Sequence, residues 1–292
     1  MNMLKINLML VLALFVGVLN AQVIGGKQTK LEKYYAEERW EDCAFKADRM
    51  VLQEKYKNDP EVNLYLAASY AKVFLMCLED SILLNKVPEY LNAYTYALKY
   101  ATVAKRKDKK TQIIFPKNNF MLEEIAITGI HYIDHYMSIK RVPKANSYLR
   151  KIMKVYSDEN FKFLNGVISV MTGDTATGNP LIRETFAEID SRKSREELNT
   201  DFLMIDAFDY YINFLINQET PLVDSAKNVA NRGIKCFPDC ELLKYDLKLI
   251  DDPELKAEKP KNEKKKLILK NISLNSLNEN DEDDDVDDEE DD

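Results

Sequence analysis

Glycine is scarce in this chain. Only 8 of the 292 residues are glycine, and three of those lie before residue 27. Stretches in which apolar and polar residues alternate strictly, as half-buried strands require, are also hard to find. The chain is instead rich in Leu, Lys, Glu, Ala and Tyr, a composition typical of helical proteins. We therefore expect an all-α fold.

The greater part of the chain also lacks a strong net charge. The formal charge of −8 comes mainly from residues 279–292, which hold 12 acidic residues and no basic one. Residues 256–270 hold seven lysines against two glutamates, and the rest is nearly neutral. Nucleic-acid binding requires a basic face. Nucleic acid is therefore not expected as a partner.

A long apolar run occurs only at the N-terminus. Residues 6–19 are almost wholly apolar, follow Lys5, and lead to Ala21 and Gln22. The run is short for a membrane span, and its layout is that of a secretory signal peptide, similar to the leaders of bacterial envelope proteins. A retained N-terminal anchor is the alternative. We expect removal of residues 1–21, export to the periplasm or the medium, and no membrane span in the mature chain.

The chain has four cysteines. Cys236 and Cys240 flank a Phe-Pro turn, and export would permit a disulfide between them. Cys43 and Cys77 lie in apolar helical stripes and are interpreted as small core residues. The spacing is not CxxC, and no further Cys/His cluster supports a zinc site. No cofactor is expected.

Prolines mark the predicted helices. Seven of the nine lie between residues 60 and 238, and each precedes apolar residues at three- and four-residue spacing. Proline is tolerated in the first turn of a helix and is costly in its interior. The pattern predicts first helices near 28–37, 61–83, 117–139, 158–171 and 196–217. It predicts second helices near 40–56, 88–106, 143–156, 180–190 and 221–236, and a closing helix near 239–250.

Several of the second helices share one spacing of bulky and small residues. The positions are Trp40, Cys43 and Ala47; Tyr90, Ala93 and Ala97; Ala145; and Ala226, Ala230, Gly233 and Pro238. This spacing resembles the second helix of a tetratricopeptide repeat (TPR), although the repeat period is irregular and the Leu-Gly pair of the first helix is missing. The resemblance implies a right-handed array of about five helical hairpins within residues 22–252, closed by a capping helix. It also implies a groove that binds another protein or a peptide.

The candidate metal ligands are His131, His135 and Glu124. The two histidines lie one helical turn apart in "HYIDHYM", a spacing at which two imidazoles can share a metal. Glu124 lies two turns earlier on a similar face, but Tyr132 occupies the place of the base in a zinc-protease helix. Ordinary polar residues on a groove-lining helix are the favoured alternative. The stretch 172–180, "TGDTATGNP", is predicted to be a loop, because it lacks the lysine of a phosphate loop.

The sequence favours an exported, non-catalytic protein- or peptide-binding scaffold of the cell envelope, since no Ser/His/Asp or Cys/His set can be assembled. One alternative is a glycan-binding surface protein, which would need aromatic side chains exposed side by side, such as Tyr65, Tyr132 and Tyr210. A metal-dependent enzyme centred on His131 and His135 is less favoured.

The last part of the chain, residues 253–292, is predicted to be a disordered tail, Lys-rich and then acidic. Its acidic block repels itself and has little apolar surface to bury. The block is either a solubilising tail or a docking segment. In the second case it binds a basic partner or folds back on Lys264, Lys265 and Lys266.

The mature protein is expected to begin at Gln22, because the small residue Ala21 closes the signal-peptide pattern. Mass spectrometry of material from the periplasm or the medium measures this directly. An intact Met1 on the exported protein would contradict the expectation.

Overall fold

The structure is a computed structural model, and it describes residues 26–79, 87, 90, 92–109, 112, 114–115, 117–191, 197–255, 257–263 and 265. All regular structure in these residues is helical, which confirms the prediction of an all-α protein. The predicted signal peptide and the acidic block lie outside the described residues. The helices are α1 (Thr29–Ala36), α2 (Trp40–Val51), α3 (Pro60–Glu79), α4 (Ala93–Asp108), α5 (Asn119–Thr128), α6 (Ile130–Ser138), α7 (Val142–Val155), α8 (Glu159–Met171), α9 (Thr175–Ser191), α10 (Asp201–Ile216), α11 (Val223–Cys236) and α12 (Glu241–Asp251).

Most helices lie close to their predicted positions, but the helix predicted over 117–139 is divided into α5 and α6. Helix α9 begins earlier than its proline suggests. It starts at Thr175, and Asp174 caps it by accepting a hydrogen bond from the backbone N–H of Thr177 at 3.1 Å. The predicted loop over 172–180 is therefore wrong beyond residue 174. Pro180 lies in the second turn and is exposed, so water can reach the carbonyl that its missing N–H leaves unpaired.

Most helices pack against their neighbours in chain order. Helix α3 packs against α2 and α4, α8 packs against α9 and α10, and α10 packs against α11 and α12. Contacts also join helices that are not consecutive, such as α4 with α7 and α9 with α11. The buried apolar residues form one continuous core from Leu31 to Ile250. One core therefore spans all of these helices.

Helix α3 is long and apolar enough, over Pro60–Leu78, to cross a membrane by length and composition alone. A long apolar run is therefore not confined to the N-terminus. However, 78 % of that stretch is buried among the other helices. Its neighbours α2 and α4 cover it on two sides. Its apolar character is explained by a position in the core, because a helix that is hydrophobic all round must be enclosed.

The small residues of the repeat pattern are buried. The buried positions are Cys43, Ala47, Ala93, Ala97, Ala145, Ala226, Ala230 and Gly233, whereas Trp40 and Tyr90 are half-buried and Pro238 is exposed. At Gly233 an added Cβ would lie 3.0 Å from Cδ1 of Leu243 and 3.1 Å from Cγ of Phe208. The small stripe of α11 thus faces both α10 and α12.

A second close approach, between α8 and α9, has no counterpart in the predicted repeat pattern. An added Cβ on Gly178 would lie 2.5 Å from the carbonyl oxygen of Gly166. This distance is too short for any side chain, so the two backbones cross where only glycine fits.

Polar side chains fix the start of α10 against α8. Asp158 caps α8 by accepting hydrogen bonds from the backbone N–H groups of Asn160 (2.9 Å) and Phe161 (3.0 Å). The hydroxyl of Thr200 donates to the same carboxylate at 2.5 Å, and the amide of Asn160 donates to Thr200 at 2.8 Å. These bonds hold the N-terminal end of α10 in place.

Replacing Ala230 with Leu is expected to destabilise the protein by ~1–3 kcal/mol, because the added methylenes must enter a filled interface. Ala230 is fully buried on the small stripe of α11. Urea denaturation measures the effect, and Asn231→Leu on the exposed side of the same helix is the matched control. Equal unfolding midpoints for the two variants would show that the stripe is not a packing surface.

Candidate functional site: an acidic groove and its C-terminal strap

Four aspartates from three helices form a surface that we call the acidic groove: Asp134 on α6, Asp206 and Asp209 on α10, and Asp246 on α12. Asp206 and Asp209 are one helical turn apart and therefore share a face of α10. The side chain of Asp206 is 10 % exposed and that of Asp246 only 1 %. Buried carboxylates are costly unless they are paired with cations. The groove therefore requires positive charge.

The positive charge comes from the same chain. Residues 257–263 and 265, which we call the strap, lie against the groove. The ammonium of Lys265 lies 2.5 Å from Oδ1 of Asp134 and 2.6 Å from Oδ2 of Asp206. Its side chain is 19 % exposed. This lysine thus joins α6 to α10.

Two further strap residues continue the contact at intervals of three. The amide of Asn262 donates to the carbonyl oxygen of Phe202 and to Oδ1 of Asp206, both at 2.9 Å. The ammonium of Lys259 forms an ion pair with Asp209. Lysine, asparagine and lysine, at positions 259, 262 and 265, therefore all reach the groove.

A further contact reaches the strap backbone from α12. The hydroxyl of Tyr245 donates to the carbonyl oxygen of Ala257 at 3.0 Å. Within the strap, the backbone N–H of Lys265 donates to Oδ1 of Asn262 at 3.3 Å. The strap is thus recognised through its main chain as well as its side chains.

At the α12 end of the groove, Asp209 and Asp246 share one lysine. Burial raises the pKa of Asp246 to about 8, and the nearby charge of Asp209 acts in the same direction. The ammonium of Lys259, 3.4 Å from Oδ1 of Asp246, opposes this shift. Two carboxylates with one cation leave an excess negative charge, which a proton can neutralise.

The same imbalance occurs at the α6 end. Burial raises the pKa of Asp134 to about 6, against the opposing effect of Lys265 and a hydrogen bond from Tyr210. Burial alone would lower the pKa of Lys265, but Tyr210 and the two aspartates raise it, so the lysine stays charged. Burial, and then the charge of Lys265, lowers the pKa of His131 to about 4. His131 is therefore neutral beside this ion pair.

The strap changes the predicted domain boundary. The sequence predicts a disordered tail over residues 253–292, whereas residues 257–263 and 265 lie in defined contact with α10 and α12. The reason is that buried aspartates on the body of the protein take up the lysines. Lys265 is already paired with Asp134 and Asp206, so it does not offer the acidic block the free cation that the fold-back hypothesis requires. Lys264 and Lys266 lie outside the described residues.

A cavity of about 520 Å³ lies beside the strap. It lies between the start of α10, the turn from Cys236 to Cys240, and strap residues Pro260 to Glu263. Its charged lining residues are Glu197, Asp201, Asp239, Glu241, Glu263 and Lys261. The strap thus forms one wall of an acidic cavity.

The predicted metal ligands have other surroundings. His131 and His135 are buried on α6, where the His131 ring lies 6.4 Å from that of Phe74 and the His135 ring lies 5.2 Å from that of Tyr136. The carboxylate of Glu124 on α5 is bound by Lys72 of α3. Among the described residues, no three His, Cys, Asp or Glu side chains come together as a metal site. The geometry gives the metal-enzyme alternative no support.

The disulfide that the sequence permits between Cys236 and Cys240 is not present in the structure. The two cysteines lie at the two ends of the α11–α12 turn. Burial raises the pKa of Cys240, so the reactive thiolate form is less populated. Cys43 is buried, its pKa is raised by burial to about 11, and its thiol contacts the carbonyl oxygen of Leu31 at 3.5 Å. It has the surroundings of a core residue.

The tyrosines named for a glycan site are not exposed side by side. Tyr65 and Tyr132 are buried, and Tyr210 is directed at Asp134. A different aromatic cluster lies on α3 and α4. Tyr70 stacks on Tyr100 with 6.1 Å between ring centroids and lies 5.6 Å from Tyr96, which is 48 % exposed.

None of the groove residues was predicted from the sequence. A signal was nevertheless present in α10, "DFLMIDAFDYYINFLI", where Asp206 and Asp209 interrupt a largely apolar helix. Carboxylates in a helix without a polar face are not expected to be solvated. The three-residue spacing of Lys259, Asn262 and Lys265 was the matching signal in the tail.

The raised pKa of Asp246 predicts a pH-dependent stability. The folded state keeps a proton that the unfolded state releases. The contribution of this proton to the free energy of unfolding is full below about pH 4 and is lost as the pH rises through about 8. Asp246→Asn carries no such proton. Its free energy of unfolding is expected to rise relative to that of the wild type between about pH 4.5 and 8.5.

Urea denaturation across this pH range measures the difference. Asp239→Asn, on the exposed turn before α12, is the control and should follow the wild type. A difference between wild type and Asp246→Asn that does not change with pH would contradict the assignment.

No protein-family model, curated protein or solved structure matches the chain. The resemblance to tetratricopeptide repeats therefore rests on residue spacing alone, as in Ala226, Ala230 and Gly233. A function has to be inferred from the acidic groove and the strap that lies in it.

Proposed function

We propose that the chain is an exported, non-catalytic scaffold of the bacterial cell envelope that binds another protein or a peptide segment. In this proposal the helices form a right-handed, TPR-like array of about five hairpins, and α12 caps it. Residues 1–21 direct export and are removed. Binding takes place on a face of the array.

The order of helix contacts supports the array. The second helix of a predicted hairpin packs on the first helix of the next: α2 packs on α3, α4 packs on α5, and α7 packs on α8. The predicted first helices α8 and α10 also contact each other, as do the second helices α9 and α11. Such contacts between successive units are what a stacked series of hairpins requires.

The observation that carries the proposal is the bound strap. A short segment without a core of its own lies across α10 and α12, held by the side chains of Lys259, Asn262 and Lys265 and by a bond to its backbone. Only Asn262 among its described residues is buried. This is how a helical scaffold holds a peptide: fixed side chains on the scaffold receive spaced side chains of the segment.

A second candidate function is glycan binding. It is favoured by the partly exposed cluster of Tyr70, Tyr96 and Tyr100, because flat aromatic surfaces suit sugar rings. Asp48 beside Tyr100 would add a polar partner for a hydroxyl group. The cluster lies on α3 and α4, away from the strap in the chain.

Affinity capture distinguishes the two functions. The mature chain, immobilised, is incubated with envelope extract of the producing bacterium, and retained protein and retained carbohydrate are both identified. We expect a protein that, once purified, binds the chain saturably and without chemical change to either component.

The same chain unfolded by heat before immobilisation is the control. Retention of carbohydrate without protein, lost in Tyr96→Ala, would favour glycan binding instead. Equal retention of all proteins by the folded and unfolded chains would contradict the scaffold proposal.

A further inference from the structure

We infer that the acidic groove recognises a lysine-bearing segment of a partner protein, and that the strap is an intramolecular occupant which the partner displaces. This inference rests on the proposed scaffold function and adds the chemistry of its partner. The groove consists of Asp134, Asp206, Asp209 and Asp246, as defined above.

The groove presents two sites for ammonium groups with an amide site between them. One site is the pair Asp134 and Asp206, and the other is the pair Asp209 and Asp246. The carbonyl oxygen of Phe202 accepts the amide between them. A segment with the spacing lysine, two residues, amide side chain, two residues, lysine fits this arrangement.

The groove has more negative charge than the strap neutralises. Four carboxylates face two ammonium groups, those of Lys259 and Lys265. A partner segment with the same spacing and additional lysines would neutralise more of the charge. Buried carboxylates without a cation are costly, so we expect the partner segment to replace the strap directly and the groove to be occupied by one or the other.

The strap is held in a way that permits exchange. Its residues 257–259, 261 and 263 are exposed, so it buries little apolar surface. The side chain of Lys259 is 39 % exposed, so water and salt reach its ammonium group and weaken its hold on the groove. Another segment that supplies two lysines and an amide would restore every side-chain contact that the strap loses.

The test uses a fluorescein-labelled peptide of residues 257–265, "AEKPKNEKK", added to the full mature chain and followed by fluorescence anisotropy. One variant releases the strap by combining Lys259→Ala, Asn262→Ala and Lys265→Ala. Lys261→Ala removes one positive charge from an exposed strap residue that does not contact the groove aspartates, and it is the control. We expect the released variant to bind the peptide at least about 10-fold more tightly than the wild type or the control, because its groove is no longer occupied.

Two substitutions test whether the peptide lies in the groove. Asp206→Asn, added to the released variant, should remove most of the gain in affinity, whereas Asp224→Asn, at an exposed position of α11, should leave it unchanged. A peptide with glutamine at the positions of Lys259 and Lys265 should not bind, whereas one with glutamine at the position of Lys261 should.

Hydrogen exchange on the wild-type chain keeps the inference testable if the released variant loses helix by circular dichroism. Excess unlabelled peptide should speed exchange in residues 257–265, including the amide of Lys265, and leave α10 protected.

Unchanged hydrogen exchange in the strap, or peptide binding that Asp206→Asn does not weaken, would overturn the inference. A captured partner that binds wild type and Asp206→Asn alike would agree with the scaffold function but contradict lysine recognition by the groove. Absence of any partner would contradict the scaffold function itself.

Discussion

Close approach of helices at small residues is the constraint on which the structure depends. Ala47, Ala145 and Ala230 are fully buried, and at Gly233 even a methyl group would press on Leu243. A helical hairpin has too little apolar surface to be stable alone, so it must bury its face against the next hairpin. Small residues bring the backbones near enough for larger side chains to interlock. Each small residue thus determines the position of the helices on either side of it.

The chemistry of the groove follows from this packing. Helix α10 is covered by α8, α11 and α12, and its residues from Asp201 to Phe208 are all buried. A carboxylate on such a helix cannot turn to bulk water, whatever its place in the sequence. Asp206 must therefore find a cation within the protein, and Lys265 provides it. An acidic residue that would be solvated on an outer helix becomes a binding group here because of where its helix lies.

The sequence predicted the helices well because their signals are local. Prolines, the spacing of apolar residues and the small stripe of α11 all lie within one helix or its first turn. The start predicted for α9 at Pro180 was wrong because the cap formed by Asp174 is a stronger start signal than proline. The groove could not be predicted in this way. Its pairs join residues that are far apart, 131 positions for Lys265 and Asp134 and 59 for Lys265 and Asp206. Nothing local distinguishes a lysine in a charged tail from one that will be buried.

The polar character of the strap contact is itself informative. Fastening a segment to a helical protein for stability alone is done as well by apolar side chains, since replacing a buried ion pair with well-packed apolar residues is often neutral or stabilising. The strap instead uses two lysines and an asparagine on carboxylates that they do not fully neutralise. Such contacts add little net stability, but they discriminate strongly, because a segment without the cations would leave buried charge unpaired. A groove built in this way is better suited to choosing among segments than to holding one permanently.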